Sequence, residues 1–245
     1  MSRDCKRFSS QPKGLFLALI VSLSTFGMAS ADERIEVAPG VKVTKHTYPV
    51  PINEQPFYGF QPKNQAEQEA DNKLLEASKS MGPLDKIADH LETRGWQAFA
   101  SQNYVLAAQR FNQAWLLAPG RSVTVHGFAA LTQERFKDTA FAEELMERAA
   151  KLKNPLPSLP GDHGRLMLIA GKPKQAVPLL EAALVSAPGW LMPKMNLGWA
   201  RLALGERTEA CRLAEDVLQE LQKRSENERK ALEGQIGQLK VAGKC

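Results

Sequence analysis

Any chemistry in this chain of 245 residues would have to come from four histidines, three cysteines, the Gly171-Lys172 pair and a few acidic pairs. His46, His90, His126 and His163 are too far apart for the i, i+4 spacing that puts two imidazoles on one helix face around zinc, and no cysteine lies near them. Asp162-His163 with Arg165 nearby suggests a base and its orienting carboxylate, but no G-x-S-x-G elbow supplies a nucleophile. Gly171-Lys172 is followed by Pro173 rather than Ser or Thr and sits between helical patterns, so it lacks the strand context of a phosphate loop. Glu143-Glu144 and Glu215-Asp216 read as solvated helix faces. No C-x-x-C pair is present, which argues against a dithiol redox site. The residues therefore predict no catalytic site, no cofactor and no metal. They point to a binding protein rather than an enzyme.

The N-terminus has the layout of a secretory leader. Arg3, Lys6, Arg7 and Lys13 precede an apolar run from Leu15 to Phe26, and Ala29-Ser30-Ala31 offers a small-x-small cleavage site before Asp32. The run is too short to span a bilayer comfortably, which takes about 20 residues. A periplasmic protein, with residues 1–31 removed as a signal peptide, is expected. A secreted protein, or one held by an uncleaved signal, is the alternative. The net charge of +5 is largely the leader's, since the rest holds 28 basic and 26 acidic residues. No nucleic-acid partner and no membrane span beyond the leader are expected.

Cleavage leaves Cys211 and Cys245, an even number that permits one disulfide in an oxidising compartment. A helix through Cys211 that ends near Arg224, a reversal at Ser225-Glu226-Asn227 and a returning helix come level with Cys211 near residue 240 at about 1.5 Å per residue. Gly243 then lets the tail bend back, so a Cys211–Cys245 bond is predicted.

Residues 32–64 read as a Pro-rich extended segment, broken by Pro39, Pro49, Pro51, Pro56 and Pro62, with V-K-V-T-K alternating only briefly. Tyr48, Phe57, Tyr58 and Phe60 among them suggest a linker that tucks aromatics onto the folded part. Residues 65–87 form a helical extension, rich in helix formers over 65–79 and interrupted at Gly82-Pro83. From there the chain repeats in windows 88–121, 123–156, 157–190 and 191–224. Small residues recur at position 8 (Gly95, Ala130, Gly164, Gly198), 20 (Ala107, Ala142, Ala176, Ala210) and 27 (Ala114, Ala149, Ala183). Position 24 holds Phe111, Met146, Leu180 and then Ala214, and Pro119 and Pro188 stand at position 32. Small residues let paired helices approach, the large one fills the space beside them, and neighbouring pairs cover the faces that one pair cannot.

These positions, with Tyr104 at 17, resemble the tetratricopeptide repeat family. The resemblance covers 88–224 and implies an all-α fold: a right-handed solenoid of about four helical hairpins, closed by a polar capping helix over 225–245. The family's Trp at position 4 is absent; Leu91, His126, Pro160 and Lys194 stand there. Prolines at 155, 157 and 160 should shorten the first helix of window three, and Pro178 should kink its second helix.

The resemblance also implies a concave groove. Its lining maps to Glu92, Trp96, Phe99, Leu131, Glu134, Arg135, Arg165, Leu168, Met192, Met195, Trp199 and Leu202, among others. Arg135 and Arg165 would meet carboxylates. The expected partner is a protein or peptide with an apolar or amphipathic segment, bound by an interaction or scaffolding module. The alternative is a structural accessory subunit of an envelope assembly that uses its convex face or termini. The family's carboxylate clamp is missing, because Glu92 and Trp96 occupy two of its positions. Residues 65–79, or the Pro-aromatic segment, could also fill the groove from within.

Overall fold

Turn chemistry sets the period of the molecule. The computed structural model describes residues 33–245, so the basic leader and its cleavage site lie outside the described residues. Four helical hairpins follow one another: α2 (Leu84–Ala100) with α3 (Tyr104–Leu117), α4 (Ser122–Leu131) with α5 (Thr139–Lys151), α6 (Leu159–Ile169) with α7 (Pro173–Ser186), and α8 (Leu191–Ala203) with α9 (Arg207–Leu221). They are preceded by α1 (Gln65–Met81) and closed by α10 (Glu226–Gly243). The chain is an all-α, tetratricopeptide-like repeat solenoid.

Each second helix begins at position 17 of its window, after a left-handed residue at position 15: Gln102 (φ 59°), Lys137 (φ 57°), Gly171 (φ 70°) and Gly205 (φ 84°). The two turns without glycine carry a capping side chain instead. Asn103 accepts from the Leu106 N–H, and Asp138 from the Phe141 N–H, whereas Lys172 and Glu206 make no such cap.

Within hairpins, and on to the next at Gly127, large residues press into glycine notches. Phe111 is fully buried, and a Cβ on Gly95 or Gly127 would stand only 2.6 or 2.5 Å from its ring. Leu180 fills the notch of Gly164 in the same way, at 2.6 Å. The fourth hairpin has only Ala214 at that place. Leu239 of α10 fills the space, 2.7 Å from where a Gly198 Cβ would be. The last helix thus completes the packing of the final hairpin, with Ile236 and Leu239 against Leu191, Met195, Val217 and Leu221. A disulfide joins Cys211 to Cys245 with Cα atoms 5.6 Å apart.

One residue disturbs the register. Residues Thr132–Phe136, at the end of α4, form a π-helical turn. Such a turn holds one more residue than the α-helix it interrupts. The Asp138 N–H consequently reaches back six residues to the Thr132 carbonyl, whereas Asn103, Lys172 and Glu206 reach back five. The extra residue accounts for a first repeat step of 35 against 34 and 34 in the later ones. Before the bulge, every α4 side chain lies one position earlier than strict periodicity assigns. Ala129, fully buried, takes the small-residue place expected of Ala130.

The third hairpin has a first helix of only 11 residues, with Pro160 in its first turn. Pro178 lies inside α7, which nevertheless continues as one helix from Pro173 to Ser186.

Residues 33–63 are more ordered than an extended linker. R-I-E-V-A and V-K-V-T pair as an antiparallel hairpin, β1 (Arg34–Ala38) and β2 (Val41–Thr44), with Ile35 opposite Val43 and Gly40 at φ 76° in the turn. The alternation is short because only Val41 and Val43 of β2 are buried. This arm packs on the second helices α3 and α5. Phe57 inserts against Trp115 and Phe128, with centroids 5.0 and 4.6 Å away, while Tyr48 stacks on Phe136 at 3.8 Å and His46 on Phe141 at 4.3 Å. Buried Asn112 clamps it: Nδ2 donates to the carbonyls of Asn53 (3.1 Å) and Gln55 (2.7 Å), and Oδ1 accepts from the Tyr58 N–H (3.1 Å). Asp138 accepts from the Tyr48 hydroxyl (3.0 Å) and meets His46 Nδ1 at 2.7 Å. Burial, together with the Asp138 charge, pushes the Tyr48 phenol far above its ordinary range. Helix α1 starts with a capping box, Asn64 with Glu67, and lays Leu74 and Leu75 on the outer end of the first hairpin, beside Ala88, Ala114 and Leu117. Among the described residues, no helix is long and apolar enough to cross a membrane.

Candidate functional site: the concave cleft

The first helices α2, α4, α6 and α8 line one row of cavities, the side on which a concave groove is expected. At its centre is a cleft of about 60 Å³, walled by Trp96 and Phe99 of α2 and by Leu166 and Ile169 of α6, with Ala130 and Met146 between them. Gln133, Glu134, Asp162 and Arg165 make its polar rim. Neither the N-terminal arm nor α1 contributes to the lining, so the groove-filling alternative does not hold at this cleft.

Trp96 is held by three aromatic neighbours at near-perpendicular angles: Phe99 (5.6 Å), Phe111 (5.5 Å) and His126 (4.8 Å). Edge-to-face packing of this kind fixes an indole beyond what burial alone gives. Its Nε1 is buried with no hydrogen-bond partner. Arg165 crosses the rim to Glu134 at 3.1 Å, and Lys137 reaches the same carboxylate at 3.4 Å.

Towards the start of α2 the groove turns polar. Asp85, Asp89 and Glu92, spaced for one helix face, converge on Arg121, which opens α4. The guanidinium lies 2.7 Å from Glu92 Oε2 and donates through Nε to Glu92 Oε1 at 3.0 Å, while Thr124 Oγ1 donates to the same oxygen at 2.6 Å. Hydrogen bonding to Glu92 holds the Arg121 proton more tightly than usual, against the opposing effect of burial. At Asp89 burial works to raise the carboxyl, but Arg121 and Lys86 together keep it below the usual carboxylate range. These groups face a cavity of about 740 Å³ that reaches Trp96.

At the other end, Trp190 and Met192 stand 42% and 39% exposed. With Pro193 they separate a cavity of about 140 Å³ beside Asp162, Arg165 and Asn196 from one of about 520 Å³ beside Arg224 and Leu232.

The expected lining is thus only partly assembled. Trp96, Phe99, Glu134 and Arg165 meet in the cleft, and Met192 lies along the same side. Leu168 is half-buried against the core. Glu92 is buried under Arg121. Leu131 is in the core, and Arg135 turns away to pair with Glu54, donating also to its carbonyl at 3.2 Å. Both displacements follow from the π turn, which puts Ala130 and Gln133 where strict periodicity assigns Leu131 and Glu134. Met195, Trp199 and Leu202 pack in the cluster closed by α10. The groove positions left out Ile169 and Trp190, the last residue of the third window, and Asp162, which was considered only beside His163. The 35-residue step was the signal for the shifted register.

Among the described residues, no group of three His, Cys, Asp or Glu side chains is placed to hold a metal ion. What the site offers is an apolar socket with a mixed-charge rim, on a tetratricopeptide-like scaffold. No protein-family model matches the sequence, and no curated protein matches it. Two crystal structures of MamA are similar in part. One is 15% identical with a TM-score of 0.48, covering 66% of this chain and 98% of that one. The other is 16% identical with a TM-score of 0.46, covering 63% and 81%. Likeness at this level leaves the functional reading to the cleft itself.

Proposed function

We propose that this chain is an exported interaction scaffold that binds an apolar or amphipathic segment of a protein partner along its concave side. The observation that carries the reading is the open cleft between α2, α4 and α6, where Trp96, Phe99 and Ile169 remain within reach of a partner. Fixed aromatic anchors in a desolvated pocket are where binding energy concentrates. The mixed rim of Glu134, Asp162 and Arg165 supplies orientation rather than chemistry. Export is supported by the leader and by the bonded Cys211–Cys245 pair.

The convex side is less free at the first two hairpins, because the N-terminal arm lies on α3 and α5. That disfavours the accessory-subunit reading there. A photo-activatable amino acid at Ile169, 47% exposed and in the cleft, separates the two readings from one at Val185, 83% exposed on α7. In cells, the Ile169 probe is expected to give discrete protein adducts and the Val185 probe none. Adducts from Val185 alone would reverse the assignment.

A further inference from the structure

His126 lies directly behind the cleft. It is fully buried, and neither ring nitrogen has a hydrogen-bond partner. Its Nε2 stands 3.1 Å from Asp162 Oδ2, close enough for an ion pair but not aligned for a hydrogen bond. Its ring meets Trp96 nearly edge-on at 4.8 Å. Trp96 and Asp162 both line the cleft, on opposite helices. One imidazole therefore touches two of the walls from behind.

The charges around it are few. From α2, Glu92 is occupied by Arg121 and Thr124. From α5, Glu143 and Glu147 act on His163, and Glu143 is gripped by Lys172 at 2.6 Å. From α6 come Asp162, His163 and Arg165, the last paired with Glu134. His163 is itself pushed below the ordinary imidazole range, chiefly by burial; Glu147 and Glu143 oppose the shift and the charge of His126 adds to it. The two histidines thus resist carrying charge together, and Asp162 is the carboxylate in contact with His126. A buried cation without a counter-charge is strongly disfavoured. The half-exposed Asp162 is already within 3.1 Å and is free on its solvent side to turn into line with it.

We propose that the His126–Asp162 contact is a proton-sensitive latch on the concave cleft. The inference rests on reading that cleft as the binding site. When one proton is taken up from solvent, both ring nitrogens carry N–H, and Nε2 donates to Asp162 Oδ2. The carboxylate, already 3.1 Å away, turns to accept it and is drawn into an ion pair behind the rim. The rim loses a negative charge, leaving Arg165 with Glu134, and Trp96 shifts with the imidazole it abuts. Acid therefore narrows the cleft and makes its rim less acidic; neutral pH returns Asp162 to the opening.

The test uses the mature chain alone, with no partner. Histidine ¹⁵N shifts report each imidazole, and the Ile169 δ-methyl signal reports the cleft, between pH 8 and pH 5. The Ile169 signal is expected to change together with the ¹⁵N shifts of His126 and not with those of His90. Replacing His126 risks the fold, so the deciding variant is Asp162→Asn at the half-exposed partner. In that variant the change of the Ile169 signal on acidification should be largely lost, because the carboxylate that turns inward is gone. His126 ¹⁵N shifts that do not change with pH, an Ile169 signal that ignores them, or a full acid response of Ile169 in Asp162→Asn would each overturn the latch. Capture of a partner at Ile169 without any pH response would leave the scaffold standing and remove the latch alone.

Discussion

At the scale of single residues, the four hairpin turns solve one steric problem in two ways. Position 15 must be left-handed, which costs a side-chain-bearing residue about 1–2 kcal/mol and glycine almost nothing. Gly171 and Gly205 take the second route. Gln102 and Lys137 take the first, each followed by a capping Asn103 or Asp138. Lys137→Gly should therefore raise stability by about 0.5–1 kcal/mol, and Gly205→Ala should lower it by about 1 kcal/mol, in urea unfolding. Asp138→Ala should cost more than Asn103→Ala, because Asp138 also accepts from Tyr48 and meets His46. His163 gives a pH prediction whose sign follows from its depressed folded-state value. The unfolded chain, near 6.5, takes up the proton first, so the stability tied to His163 is present above that pH and is lost as pH falls through it. The urea midpoint should drop from pH 7.5 to 5.5, and His163→Gln should flatten the fall.

At the scale of elements, the period was legible and the insertion was not. Small residues at fixed spacing, glycines at turns and a large residue at position 24 report close helix packing directly, which is why the hairpins could be read from Gly95, Phe111, Gly164 and Leu180. The π turn leaves no residue signature, only a step of 35, and it moved Leu131 into the core and Arg135 towards Glu54. The β-hairpin was equally hidden. V-K-V-T is too short to declare itself, and it is ordered by tertiary contacts such as the Thr44 N–H with Glu144 at 3.1 Å. Ala214 looked like a lapse in the pattern, but its place is filled from α10. Leu239→Ala should accordingly cost about 2–4 kcal/mol, as for any fully buried leucine, and should loosen α10 as measured by hydrogen exchange. Cys211→Ser removes a crosslink spanning 34 residues, with an expected loss of about 3–4 kcal/mol in the chain-entropy account. A cost near zero would mean that α10 docks without it.

For the whole molecule, an N-terminal arm and a C-terminal helix pack on the outer parts of a four-hairpin solenoid and leave uncovered the cleft proposed to take a partner. The arm covers α3 and α5, α10 closes α8 and α9, and the cleft between α2, α4 and α6 is left to Trp96, Phe99 and Ile169. Trp96 serves badly as a sole probe, because it also packs on Phe111 and His126. The exposed Ile169 serves better. The most direct measurement is the affinity of the purified, cross-link-identified partner for Ile169→Asp and for Val185→Asp, each with its melting temperature. The account predicts a loss of about 30-fold or more, roughly 2 kcal/mol, for Ile169→Asp, with unchanged affinity for Val185→Asp and little change in melting for either. Full affinity in a well-folded Ile169→Asp protein would contradict it.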